Sequence, residues 1–116
     1  MEISTLGWCA FHCNPGGLRG ELRAGADPNQ MDPDTGNTPL MWLCEMGDRH
    51  TKARRRMFRL LVAAGADLNQ VNGEGLTAWH FAATSANKTF RRFVRSQYQR
   101  ICGKVPTQHF RRADFP

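Results

Sequence analysis

Four cysteines and four histidines are the side chains of this 116-residue chain best suited to metal binding or nucleophilic chemistry. Cys9, His12 and Cys13 lie close together, and Cys44 and Cys102 are the further ligands that a metal ion would need. Structural zinc sites usually combine two short-spaced pairs of ligands, whereas a single C-x3-C pair stands alone here. The sequence therefore predicts no metal site, and the cysteines read as free thiols in a reducing compartment.

The sequence contains no recognisable set of catalytic side chains. His80, in the phrase TAWHFAA, could act as a general base, but no nucleophile with an orienting carboxylate accompanies it. A P-loop, a dinucleotide-binding glycine motif and a phrase of paired carboxylates are also missing. We therefore predict a protein without catalytic activity or a cofactor, in which His80 forms a hydrogen bond to a neighbouring turn.

The formal net charge of +6 is distributed unevenly along the chain. Residues 1–75 contain eight Lys or Arg and nine Asp or Glu, whereas residues 76–116 contain eight Lys or Arg and a single Asp. A second basic cluster, RHTKARRRMFR, occupies residues 49–59. This cluster has three interpretations: a solvated helix start, an import signal, or a contact for an acidic partner or nucleic acid. Arginine is unfavourable at a helix N-terminus, which favours a role in contact.

A phrase that occurs twice indicates an internal repeat. ELRAGADPNQ at residues 21–30 returns as LLVAAGADLNQ at residues 60–70. Each copy is followed by a glycine, a threonine and an apolar run, and STLGWCA at residues 4–10 takes the same place in a first unit. Thr38 and Thr77 suit the N-cap position of the helices that follow.

The apolar spacing predicts three pairs of helices. Their expected bounds are 4–12 with 16–24, 38–47 with 54–64, and 77–86 with 88–102. Gly25 and Gly65 suit the left-handed residue that ends a helix, Gly103 is the expected stop of the last helix, and Gly36 and Gly75 suit tight turns. We expect Pro15 and three glycines to weaken the second helix. The aromatic residues at equivalent positions of the three units are expected to be buried: Trp8, Trp42 and Phe81.

GNTPLMWLCEMG…LLVAAGADLNQ and GEGLTAWHFAA resemble ankyrin repeats, whose unit of about 33 residues carries a Thr-Pro-Leu-His-x-Ala phrase. The resemblance extends over about residues 4–97, although the repeat period here is 40 because DRHTKA is inserted in the middle unit. It implies an all-α, ankyrin-type helix-turn-helix solenoid with extended β-turn fingers. The expected domain is 1–103, with repeats at about 1–30, 31–70 and 71–103, followed by a basic tail at 104–116.

The resemblance also implies a non-catalytic module that binds another protein as an adaptor, scaffold or competitive inhibitor. Such stacks bind through the turn tips and the exposed face of each first helix. The matching positions are Asp34, Thr35, Asn37, Glu45, Met46, Gly73, Glu74, Leu76, Thr84 and Ser85, to which the first unit adds Phe11 and His12. The alternative is binding of nucleic acid or an anionic surface through a basic patch and the C-terminal arm. That patch comprises Arg54, Arg55, Arg56, Arg91, Arg92 and Arg95.

The turn segments 25–37 and 65–76 contain five acidic residues and no Lys or Arg. We therefore expect an acidic turn edge opposite a basic back, which favours a protein partner with basic or neutral polar contacts at the turns. No apolar run approaches the 20 residues of a membrane-spanning helix. The expectation is an intracellular protein, cytoplasmic or nuclear, that is a monomer or part of a longer repeat array.

Overall fold

Six α-helices in two layers make up the computed structural model, which describes residues 4–45 and 49–106. The helices are α1 (Thr5–Phe11), α2 (Pro15–Arg23), α3 (Pro39–Glu45), α4 (Thr51–Ala63), α5 (Ala78–Ala83) and α6 (Lys88–Cys102). α1, α3 and α5 pack side by side as the inner layer, and α2, α4 and α6 form the outer layer. The described residues contain no β-strand. The three helix pairs expected from the sequence are therefore present.

Short polar side chains start several of the helices. Ser4 Oγ accepts a hydrogen bond from Gly7 N at 3.0 Å, and Asn14 Oδ1 accepts one from Gly17 N at 3.0 Å. These bonds satisfy backbone N–H groups that have no partner within the helix. Pro15 occupies the first turn of α2, where its missing N–H is tolerated. α2 therefore forms despite its glycines.

Two helix bounds differ from the predicted ones by three residues, and the others differ by no more than two. α4 begins at Thr51 rather than at 54, because His50 adopts a left-handed conformation (φ 49°) and its carbonyl accepts the first helical bond from Arg54 N. Half of the inserted segment is thus helical. α5 ends at Ala83 rather than at 86, because Thr84 Oγ1 donates to Phe81 O at 2.8 Å. α3 ends at Glu45, and its predicted last residues, 46 and 47, lie outside the described part of the chain.

The repeated Gly-Ala-Asp-x-Asn phrase forms the turn that connects each outer helix to the next unit. Asp27 and Asp67 each accept a hydrogen bond, at 2.9 Å, from the backbone N–H two residues later. Asn29 then bridges the two copies, donating to Gly65 O at 2.9 Å and accepting from Asp67 N at 2.7 Å. Gly65 has a φ of 104°, which suits glycine. The phrase recurs because the same turn connects each of the first two helix pairs to the next unit.

Apolar side chains between the two layers form one continuous core. Its largest fully buried members include Leu18, Leu40, Leu43, Met57, Phe58, Leu61, Phe90 and Val94. Tyr98 is also fully buried, and its hydroxyl donates to Leu68 O at 2.6 Å and accepts from Trp79 N at 3.2 Å. Burial raises the pKa of the Tyr98 phenol, so this group keeps the proton that its bond to Leu68 requires.

Trp8 is the clear exception to the predicted burial of the aromatic residues. Trp42 is buried and Phe81 is half-buried, but Trp8 is 47% exposed. The Trp42 indole is bonded to Asp32 in the turn that precedes α3. The predicted burial of Trp8 was therefore wrong, although its position in the first unit is equivalent to that of Trp42.

The four thiols fall into two classes of reactivity. Cys9 and Cys44 are buried, and Cys13 and Cys102 are half-buried. Burial raises the pKa of the Cys9 and Cys44 thiols, which lowers the fraction of reactive thiolate. Titration of the native protein with a thiol reagent should therefore modify two cysteines rapidly, and the other two only in denaturant. Mass spectrometry that found Cys44 modified as fast as Cys102 would contradict this.

Candidate functional site

Two β-turns of similar construction project from the solenoid between successive units. In the first, Asp32 N donates to Asn37 O at 3.0 Å and Gly36 N donates to Asp32 O at 2.9 Å. In the second, Asn72 N donates to Leu76 O at 3.0 Å, and Gly75 N to Asn72 O at 3.0 Å. We call residues 33–36 and 73–75 the turn tips. Both turns are closed by their own backbone bonds, so their shape is fixed without a partner.

The two turns are also bonded to each other. Gly73 N donates to Thr35 O at 3.0 Å, and Asn72 Nδ2 donates to Asn37 Oδ1 at 2.8 Å. A Cβ atom on Gly36 would lie 2.8 Å from Gly73 N, so only glycine permits this approach. The turn tips therefore present their side chains at a fixed spacing, and binding a partner does not require them to be ordered first.

The turn tips are acidic. Asp34 and Glu74 are exposed, and they lie beside the residues that join the two turns, Thr35 and Gly73. Glu45, at the end of α3, is also exposed. The described residues of both turn segments include no Lys or Arg, so these two segments have a net negative charge.

Aromatic contacts connect the first turn to the exposed surface of α1. Trp42 Nε1 donates to Asp32 Oδ2 at 2.6 Å, and the Trp42 ring packs edge-on against Phe11 at 5.4 Å between centroids. Phe11 contacts His12 at 5.1 Å, and His12 contacts Trp8 at 4.2 Å. We call the turn tips together with Trp8, His12 and Glu45 the front surface. An exposed tryptophan is typical of the residues that dominate protein interfaces.

Most of the residues predicted to bind a partner are accessible. Those that are exposed are Asp34, Glu45, Gly73, Glu74 and Thr84, and those that are half-buried are Phe11, Thr35, Leu76 and Ser85. Asn37 is a correction, because it is only 6% exposed and its side-chain oxygen accepts from Asn72 inside the turn pair. Met46 lies outside the described residues.

Sequence reasoning missed Trp8 as part of the front surface, and it missed buried Asp32 as the acceptor that joins the first turn to α3. Trp8 was placed in the core by analogy with Trp42, and Asp32 was counted only as an acidic residue of the turn. The signal available for Asp32 is its spacing of ten residues from Trp42, whose indole N–H needs an acceptor when buried. No comparable signal in the sequence distinguishes Trp8 from buried Trp42.

Arg54 is the main correction to the predicted basic patch. It is 2% exposed, and its guanidinium donates to the carbonyls of Ala10, Leu43 and Phe11 at 2.9, 3.1 and 2.9 Å. These carbonyls lie at the ends of α1 and α3, where backbone acceptors lack helical partners and the helix dipole is negative. Arg54 therefore holds two units together and belongs to the interior rather than to the surface.

The other predicted basic residues do reach the surface of the outer layer. Arg56, Arg92 and Arg95 are exposed, and Arg55 and Arg91 are half-buried. Arg91 donates to Ser85 O. All five lie on α4 or α6, away from the turn tips. The described charges are thus separated as expected, with acidic turns on one side and basic outer helices on the other.

The histidine and cysteine positions show structural contacts. His80 Nδ1 accepts from Thr77 N at 2.8 Å, which is half of a capping box at the start of α5. This bond of His80 lies within its own turn. In the described part of the chain, no group of three or more potential metal ligands comes together.

The sequence was compared with models of known protein families. A model described as ankyrin repeats matches in three copies over residues 6–102. The chain belongs to the ankyrin-repeat family. The predicted family and all-α fold are thereby confirmed. No curated protein sequence matches this ankyrin-repeat protein.

The family assignment also defines the general type of activity. Ankyrin repeats generally act as protein–protein interaction modules and are typically non-catalytic. None of the helices in the described part of the chain has the length and hydropathy that crossing a membrane requires.

Proposed function

We propose that this ankyrin-repeat protein binds a protein partner through its front surface, as an intracellular adaptor, scaffold or competitive inhibitor without catalytic activity of its own. One observation carries the proposal: two turn tips are bonded to each other, and both expose carboxylates. A surface that is already ordered loses little conformational entropy on binding. Monomeric action and action within a longer repeat array are both compatible with this mode of binding.

The charges of the front surface define the chemistry of the partner. Asp34, Glu74 and Glu45 favour Lys, Arg or neutral polar groups, since like charges across an interface are strongly unfavourable. Trp8 and His12 add an exposed aromatic surface that suits an apolar or cationic side chain. We infer a partner segment with basic residues opposite the turn tips and one larger side chain opposite Trp8.

Affinity capture from cell lysate with the tagged full-length chain tests this proposal. We expect a discrete protein to be retained after nuclease treatment and at moderately high salt. Its capture should fall at least about tenfold for the triple variant Asp34→Asn, Glu45→Gln, Glu74→Gln, because interfaces depend on a few central contacts.

A matched triple variant controls for net charge. Glu21→Gln, Asp27→Asn and Asp67→Asn remove the same number of carboxylates away from the turn tips, and asparagine keeps the acceptor oxygen that the two Asp turns use. This control should retain the partner. Equal loss from both triple variants, or complete loss of the captured protein with nuclease, would contradict binding through the front surface.

A further inference from the structure

One basic pattern is repeated along the outer layer. K-x2-R-R-x2-R occurs at residues 52–59 and again at residues 88–95, a period of 36 residues that differs from the 40-residue period of the glycine turns. The repeated cations are paired as Lys52 with Lys88, Arg55 with Arg91, Arg56 with Arg92, and Arg59 with Arg95.

The structure places the two copies on neighbouring helices that run in the same direction. Asn87 Nδ2 donates to Thr51 Oγ1 at 2.7 Å, which joins the start of α6 to the start of α4. One to two turns further along, the Phe58 and Phe93 rings pack edge to face at 5.4 Å between centroids. Equivalent cations therefore lie side by side in two parallel rows.

Both rows face solvent. Lys52, Arg56 and Arg59 of α4 are exposed, and the equivalent Lys88, Arg92 and Arg95 of α6 are exposed as well. The opposite faces of both helices are buried in the core. We call these six exposed residues the outer basic surface. In an α-helix, residues four apart share a face and are separated by about 6 Å along the axis. Each row therefore presents positive charges at regular intervals along one face of its helix.

Apart from the contact of Arg59 with the Phe93 ring, this arrangement of cations does not stabilise the two helices. α4 and α6 contain no Asp or Glu, so neither helix has a carboxylate that could pair with a cation at the following turn. Lys52 and Lys88 also lie in the first turn, where the helix dipole disfavours positive charge, and like charges at i,i+4 destabilise a helix. Repetition of an unfavourable pattern in two units indicates a role in contact with an anion.

The composition of the surface favours phosphate. Four of its six cations are arginine, whose planar guanidinium binds phosphate through two parallel hydrogen bonds. Proteins that bind single strands generally add exposed aromatic rings on which bases stack. On this surface the nearest ring, Phe93, is half-buried, and the Arg59 guanidinium lies over it at 5.0 Å. The surface is thus suited to a phosphate backbone rather than to unpaired bases.

We propose that the outer basic surface binds the backbone of duplex nucleic acid without reading its sequence. The surface lies on the opposite layer of the solenoid from the turn tips, so it can be occupied while the front surface holds a protein. This inference does not depend on the proposed protein partner, because it uses different residues and a different ligand.

Fluorescence anisotropy with a labelled DNA duplex of mixed sequence tests the inference on the full chain. Arg56→Gln with Arg92→Gln should weaken binding at least about tenfold and reduce the slope of log affinity against log salt by about 2, since each phosphate contact contributes nearly one unit. The control, Arg100→Gln with Lys104→Gln, removes two exposed cations outside the repeated pattern. It should change the affinity less than about threefold.

Three further probes separate the duplex from other anionic ligands: a single strand of the same length, a polyglutamate peptide, and vesicles containing phosphatidylserine. The proposal predicts that the duplex binds most tightly, with circular dichroism showing that both variants remain folded. It is overturned if the duplex does not bind at low salt, if another probe binds at least as tightly, or if the two variants weaken binding equally.

Discussion

Replacing Arg54 with methionine is expected to lower the free energy of unfolding by about 3–5 kcal/mol, the largest effect of any single change at a polar residue. Methionine keeps the helix propensity and most of the length of the side chain but donates no hydrogen bond. The carbonyls of Ala10, Leu43 and Phe11 would lose the donor that they share. A buried acceptor without a partner costs about 1–3 kcal/mol. The total for the three carbonyls is smaller than three such costs, because the Phe11 carbonyl is only partly buried and can bond to water.

Urea denaturation followed by circular dichroism measures this effect, and Arg56→Met is the matched control. Arg56 lies on the same helix but is exposed, so its replacement should change the unfolding free energy by no more than about 0.5 kcal/mol. Since a chain of this size has a total stability of about 6–17 kcal/mol, the loss at Arg54 is readily resolved. Equal effects at the two positions would show that Arg54 does not join the first two units.

Replacing Asp32 with alanine is expected to lower the free energy of unfolding by about 2–4 kcal/mol. The Asp32 carboxylate accepts from buried Trp42 Nε1 at 2.6 Å and from Ser4 N at 3.4 Å. Hydrogen bonds to a charged group contribute about 1.5–3 kcal/mol, and the indole N–H would remain buried without this acceptor. The change should also loosen the first turn where it contacts α3.

A double-mutant cycle with Trp42→Phe isolates the bond between the two side chains. Phenylalanine fills most of the indole volume but removes the N–H. Asp32→Ala should therefore lower the free energy of unfolding less in the Trp42→Phe variant than in the natural chain, and the difference should be at least about 1.5 kcal/mol. Asp32→Asn keeps an acceptor oxygen, so its free energy of unfolding should lie between that of the natural chain and that of Asp32→Ala. Additive effects of the two single changes would contradict a direct Asp32–Trp42 interaction.

The sequence predicted the order of the helices well because local rules determine their ends. Gly25 and Gly65 end helices in the left-handed conformation, and the repeated Asp-x-Asn phrase makes its own turn. These features depend on residues that are close together in the chain, so they can be recognised from the sequence alone. The start of α4 was predicted less accurately, because His50 adopts a positive φ that its residue type does not indicate.

The fate of individual charged and aromatic side chains was harder to predict. Arg54 stands between other cations in the sequence, yet it alone of the three successive arginines is buried. Its position is explained by the carbonyls at the ends of α1 and α3, which are 43–44 and 11 residues away along the chain. Trp8 and Trp42 have equivalent positions, but Trp42 is buried and bonded to Asp32, whereas Trp8 is exposed. Such differences depend on tertiary neighbours, not on local pattern.

Amide hydrogen exchange of the full chain, alone and bound to its captured protein, tests most directly whether the front surface binds a partner. Binding there predicts slower exchange in the complex at the amides of residues 34–36, 73–76 and α1, with little change in the exposed turns of α4. Protection confined to α4 and α6, with the turn tips exchanging as in the free chain, would contradict the account.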